Sequence, residues 1–320
     1  MAVVPGPDPG PELGLLGAVV RVAVRVLIGC SVDQGGPLRG ARARPLPSAG
    51  VSWPSERYGV TDDEVEIERV RLSNLAKTLD PGTFRLLDRV GVEPGMHVLE
   101  VGAGTGSVSA WLAERVGGDG RVMSTDIDLR FHAEMPPNVI VRQHDAARDR
   151  LPPEHFHLIH ARAVIQHIPE REAVMARLVD ALCPGGAVVI EDGAMAEFAS
   201  QTLPEPLGSI HRIVATGSGQ QWRDHQAGVR ILGWMRELGL EDLDARGSVR
   251  IMRPHEASGE WWFLALERAV PRLVEAGAVP ESDAATALEQ MRAPGFAMLG
   301  PTSIATIGRK PAFTVSEGQP

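Results

Sequence analysis

Cysteine is almost missing from this chain. Cys30 and Cys183 are the two in 320 residues, which excludes a disulfide framework and thiolate metal spacing. That usage suits a reducing compartment, so a cytoplasmic protein without a metal site is expected. A basic surplus is also lacking: 32 Lys and Arg stand against 41 Asp and Glu, for a net charge of −9. A nucleic-acid binder would usually show a basic stripe, so no such partner is expected. Long apolar runs are lacking too. Leu13 to Cys30 is the strongest candidate, yet Arg21 and Arg25 interrupt it, and a membrane helix needs about 20 mostly apolar residues. A secretory leader opens on basic residues, where this chain has Asp8 and Glu12. Stable membrane insertion is therefore not expected. Aromatic residues are scarce at 4%, and four of the six tryptophans fall after position 220. They pack a core or line a pocket there, and packing is the commoner fate.

What remains is 43% apolar content over 320 residues, enough to bury a sizeable core in one large domain or a domain plus a cap. The first stretch is set apart. Met1 to Pro11 is rich in Pro and Gly, and Gln34 to Gly50 in Gly, Arg and Pro, compositions that bury little apolar surface. Residues 1–54 are expected to form a low-complexity extension, with Leu13 to Cys30 an interfacial helix or homodimer arm as the alternative. Order is expected to begin near Ser55. Thr61 to Glu64 forms a capping box opening a helix through Val65, Leu72, Leu75 and Leu79. Asp80-Pro81 is expected to cap a second helix that stops at Gly91.

The chain's informative stretch is His97-Val98-Leu99-Glu100-Val101-Gly102-Ala103-Gly104-Thr105-Gly106-Ser107. Val98, Leu99 and Val101 suit a buried parallel strand, while Val108, Trp111, Leu112 and Val116 recur at helical spacing. Three alternate glycines thus occupy a strand-to-helix turn, where backbone can approach a ligand under the positive end of a helix. A dinucleotide fingerprint would need a third glycine at position 107, which is Ser107, and an acid about 20 residues from Gly102. The acid here, Asp126, lies 24 residues on, at the end of the next apolar run. From position 97 to 191 strand and helix signals alternate, with strands at Val139 to Gln143, Phe156 to Ala161 and Ala187 to Glu191. The C-terminal part reads as mainly helical, with a strand over Leu240 to Met252 that has a turn inside it and a closing strand at Thr302 to Gly308.

The G-x-G-x-G turn led by Glu100, with Asp126 and the Leu182-Cys183-Pro184-Gly185-Gly186 turn, resembles the class I S-adenosylmethionine-dependent methyltransferases. The small-molecule type, which includes the ubiquinone and menaquinone C-methylases, is the most similar. The resemblance implies a Rossmann-like, doubly wound, seven-stranded and mostly parallel sheet with an antiparallel last strand, plus helical lid and cap elements. Residues 55–96 would form the lid, 97–191 the cofactor core and 192–320 the cap and closing strands. S-adenosyl-L-methionine is the implied cofactor. Glu100, Gly102, Ala103, Gly104 and Gly106 would hold its amino-acid end, and Asp126, with Ile127 beside it, would take the ribose hydroxyls. Asp145 and Ala146 would meet the adenine, and Ala161 ends the strand bordering the sulfonium. The acceptor is expected to be a small molecule of secondary or quinone-like metabolism, methylated on O, N or C. His167 is the candidate base if a proton must leave, followed by His160 and Gln166. Tyr58 and Arg71 could reach the cofactor's carboxylate or the acceptor, a packed Tyr and a surface Arg being the plainer roles. A binding protein that keeps the pocket without turnover is the alternative function, and a nicotinamide dehydrogenase a weaker one.

Overall fold

In each central strand, neighbouring residues enter opposite cores. Val98, Val122, Leu158 and Val189 pack on one face, and Leu99, Ile159, Val188 and Ile190 on the other. A sheet covered on both faces demands such unbroken apolar runs. The computed structural model describes residues 60–216 and 223–312. Tyr58, Cys30, Leu13 to Cys30 and the expected extension over residues 1–54 lie outside them.

In chain order, α1 (Val65–Val90) leads to β1 (His97–Val101), α2 (Ser107–Val116), β2 (Arg121–Asp126), β3 (Val139–Gln143), β4 (Phe156–Arg162), α3 (Arg171–Ala181) and β5 (Leu182–Ala194). There follow α4 (Ala196–Ala199), α5 (Leu207–Thr216), α6 (Ala227–Glu237), β6 (Glu241–Ser248), β7 (Ile251–Met252), α7 (Ala257–Glu275), α8 (Glu281–Arg292), β8 (Met298–Leu299) and β9 (Thr302–Arg309). The sheet order is β3-β2-β1-β4-β5-β9-β6. Strands β1 to β5 are parallel, and β9 runs antiparallel between β5 and β6. This is the Rossmann-like, seven-stranded sheet with an antiparallel last strand. Helices α1 and α2 cover one face through Leu86, Leu87, Val108 and Leu112, and α3 and α6 the other through Val174, Leu178, Ile231 and Met235.

Three elements depart from expectation. Asp80-Pro81 does not start a new helix, because α1 runs through Pro81 as one 26-residue helix. Proline removes an interior hydrogen bond, but tertiary contacts hold both halves. Glu68 before the proline is paired with Arg268 of α7, and Thr83, Leu86 and Leu87 after it are buried. Strand β5 begins at Leu182 and ends at Ala194, beyond both expected ends, because Leu182 pairs with Phe156 of β4 and β9 pairs with β5 as far as Ala194. The expected strand over Leu240 to Met252 does break at its turn, but its second piece β7 leaves the main sheet to pair with β8 in a separate small one.

A third core forms the cap, where Phe198, Ile210, Trp262, Phe263, Leu266 and Met291 are all buried. A fully buried leucine or phenylalanine contributes about 2 kcal/mol. An exposed ion pair of the cap such as Arg212–Glu205, at 2.9 Å, contributes under about 1 kcal/mol. Apolar packing therefore fastens the cap. Among the described residues no helix is long and apolar enough to cross a membrane.

Candidate active site

The turn from β1 to α2 is held open by glycine for two different reasons. A Cβ on Gly102 would sit 2.2 Å from Cγ2 of Val164, so the chain leaving β4 excludes any side chain there. Gly104 has φ +54 and would meet nothing within 4 Å. Its missing side chain opens onto a cavity of about 360 Å³. Asp126, ending β2, fastens this loop. Its Oδ2 accepts the Gly104 N–H at 2.8 Å, and its Oδ1 accepts the Asp128 N–H at 3.0 Å. Burial pushes the Asp126 carboxyl up, and the backbone N–H groups of Asp128, Gly104 and Ile127 pull against it. The cavity lies where β1, β2, β4 and β5 end, the crevice in which open α/β sheets bind ligands.

Gly102, Ala103, Gly104, Asp126, Ile127, Asp145, Ala146 and His167 all line this cavity. Glu100, Gly106 and Ala161 do not. Glu100 is 2% exposed, with its carboxylate turned to His160 behind the wall. A side chain on Gly106 would strike Met135 and His132, away from the cavity. Ala161 packs within the sheet's core. Asp145 spends carboxylate oxygens on its own turn, accepting the Ala147 N–H at 2.9 Å and lying 3.6 Å from Arg148. His144, next to it, was given no role by sequence, yet it lines the cavity with both ring nitrogens buried and without hydrogen bonds. Burial lowers its pKa. The neutral ring offers one donor and one acceptor.

From the wall backwards runs a chain of buried charges, of which Glu191 and Arg162 reach the cavity. His160 Nδ1 meets Glu100 at 2.8 Å and its Nε2 meets Glu191 at 3.0 Å. Thr83 donates to Glu191 at 2.6 Å, and Arg162 bonds both Thr83 at 2.9 Å and Asp80 at 2.7 Å. Burial alone would lower the His160 pKa, but the two carboxylates raise it to about 9. His160 is therefore already protonated at neutral pH, which removes it as a candidate base. Its partners lie 60 and 31 residues away in the chain, a distance no local motif bridges.

The other end of the cavity sets His167, Arg71 and two of the late tryptophans, all weighed from sequence, beside Asp192 and four arginines that sequence did not single out. Ala163 takes φ 56 just past β4, a conformation that strains a residue bearing a Cβ. It places the short Ile165–His167 turn beside the end of β5. Burial, then the charges of Arg223, Arg71 and nearby His225, hold the His167 pKa well below its ordinary value. Asp192 is 2% exposed; its Oδ2 accepts the Gln166 N–H at 3.1 Å, while its Oδ1 has no partner. Burial pushes its pKa up to about 7. Arg71, Arg162, Arg223, Arg250 and Arg268 also line the cavity, with Trp261 and Trp262. Trp262 does double duty, packing 4.7 Å from the Phe198 ring in the cap core. Among the described residues no His, Cys, Asp and Glu cluster is arranged to hold a metal.

Comparison with known proteins places this geometry in context. The family model described as a methyltransferase domain matches residues 72–244. Methyltransferase str2 of Strobilurus tenacellus is 32% identical over 155 residues, covering 47% of this chain and 54% of the relative. A ubiquinone/menaquinone biosynthesis C-methyltransferase of Shewanella piezotolerans is 29% identical over 113 residues, covering 32% and 45%. The chain thus spans about half the length of the curated relatives it matches. Among solved structures, a putative methyltransferase of Bacillus halodurans superposes with a TM-score of 0.47 at 19% identity, covering 71% of this chain and 98% of that one.

Proposed function

The chain belongs to the methyltransferase-domain family of class I fold, and from that premise we propose that it methylates a small-molecule acceptor using S-adenosyl-L-methionine. One observation carries the reading: the open Gly104 turn and the Asp126 carboxylate that anchors it meet in one cavity at the strand ends. Each Asp126 oxygen accepts one backbone N–H and keeps a lone pair for a ligand hydroxyl. When bound, the cofactor supplies an electrophilic methyl carbon. Gly102, Ala103 and Gly104 would hold its amino-acid end, Asp126 the ribose, and Ala146 with His144 and Asp145 the adenine. The protein's remaining work is to keep water out and to hold the acceptor atom in line with the methyl carbon. If the acceptor is a hydroxyl or an activated carbon, the neutral His167 ring takes the departing proton.

Titration calorimetry tests the reading. S-adenosylhomocysteine is expected to bind and NADH not to bind. Asp126→Ala should remain folded and weaken S-adenosylhomocysteine by about 1–3 kcal/mol, the loss of charged hydrogen bonds. Affinity for NADH alone would overturn the proposal, and an unchanged affinity in Asp126→Ala would remove that residue from the site.

A further inference from the structure

Cationic charge in the cavity is gathered on one side. Asp126, Asp128 and Asp145 line the side beneath β2 and β3, Glu191 and Asp192 line it towards the end of β5, and all five lining arginines belong to α1, the end of β4, the segment before α6 and the cap. Arg71 and Arg268 share the buried Glu68, at 2.6 and 2.7 Å. Arg162 is paired with Asp80 at 2.7 Å. Arg250 differs. Among the described residues no carboxylate lies within ion-pair distance of it, and its guanidinium donates only to Ser248 Oγ, at 3.2 Å. It lies against the backbone of α1, where a Cβ on Gly82 would come 3.1 Å from its Nη2. The acid in its neighbourhood, Glu191, is engaged by His160 and Thr83. Burial and the like charges of Arg162 and Arg85 pull Arg250 below its ordinary pKa, with Glu191 opposing.

A partly desolvated guanidinium whose neighbouring acid is already engaged by other donors is costly, and an incoming anion relieves that cost. The planar donor fork matches a carboxylate or phosphate. The surrounding wall is apolar, with Trp261, Trp262, Met195 and Met252. We propose that the acceptor is an anion, an apolar molecule bearing a carboxylate or phosphate group, and that Arg250 binds that group. Arg162, oriented by Asp80 and Thr83, adds positive potential from the floor of the site. This inference rests on the methyl-transfer reading, which leaves this side of the cavity to the acceptor.

The test is calorimetric titration of the full chain, loaded with S-adenosylhomocysteine, against benzoate, phenyl phosphate and benzamide. At least one of the two anions should bind about tenfold or more tighter than neutral benzamide, the margin narrowing as salt rises. Which of the two prevails assigns carboxylate or phosphate. Arg250→Gln should erase the preference and Arg250→Lys should keep part of it, with S-adenosylhomocysteine affinity unchanged in both. Benzamide binding as tightly as both anions, no binding of any probe to the wild type, or a preference that survives in Arg250→Gln would each overturn the proposal. Failure of the wild type to bind S-adenosylhomocysteine, measured first, would instead defeat the methyltransferase reading.

Discussion

His160→Ala should lower the melting temperature by roughly 10 °C, through a loss of about 3–5 kcal/mol. The substitution strands two carboxylates, Glu100 and Glu191, in a site where the histidine they share is fully buried. Removing one partner of a buried ion pair costs far more than the pair itself contributes, because the remaining charge stays desolvated. That loss is a large share of an ordinary folding stability of about 5–15 kcal/mol. The same triad predicts a pH dependence. The folded pKa of His160, about 9, lies above its ordinary value of 6.5. A raised folded pKa means the native state holds the proton more tightly, so the stabilisation is full below about pH 6.5 and is lost as pH rises through about 9. The span corresponds to something of the order of 3 kcal/mol. Thermal melts between pH 6.5 and 9.5 should fall in the wild type and flatten in His160→Ala. A wild-type melting temperature that holds level to pH 9.5 would show that the triad carries no buried positive charge.

The second large effect concerns His167. His167→Ala should lower turnover at least about a hundredfold, at the low end of the 10²–10⁴ a positioned base contributes. S-adenosylhomocysteine affinity should be unchanged, measured on an acceptor found by screening with radiolabelled S-adenosylmethionine. The structure changes the expected pH profile. A solvent-exposed histidine would give a rate that rises near pH 6.5. Here burial and the charges of Arg223, Arg71 and His225 hold the His167 pKa well below that value. The rising limb should therefore lie well on the acid side of pH 6.5, with a level rate above it. Asp192 supplies the contrast, since burial places its pKa at about 7. A limb centred near pH 7 that vanishes in Asp192→Asn would move the proton transfer to Asp192. Near wild-type turnover in His167→Ala would leave orientation of the acceptor as the main source of rate.

The parts of the site legible in sequence are those in which neighbours along the chain do the work. The run Val98 to Val101, the glycines after it and the following helical spacing lie within one strand-turn-helix unit. The acid at the end of the next strand, Asp126, then falls beside Gly104 because β1 and β2 pair in parallel from their starts, His97 opposite Arg121. Strand alternation also carried information. Glu100, His160 and Glu191 each stand two residues beyond Val98, Leu158 and Val189, which share one core, so parity assigns all three to the face beneath α1.

What parity could not decide was whether they meet. That required the registers that set Glu100 beside His160 and His160 beside Val189, together with the uninterrupted helix that delivers Thr83. Read locally, Glu100 belonged to the glycine motif and Pro81 to a helix start. Arg250 and Asp192 have no motif at all, since each matters through what faces it across the cavity rather than through its sequence neighbours. Local pattern determined the sheet, its turn and the Gly104–Asp126 side of the cavity, because periodicity and backbone freedom are properties of short stretches. Tertiary structure alone decided which charges are paired and which face the cavity unmatched, because Coulombic energy and desolvation depend on distance and burial, not on separation along the chain.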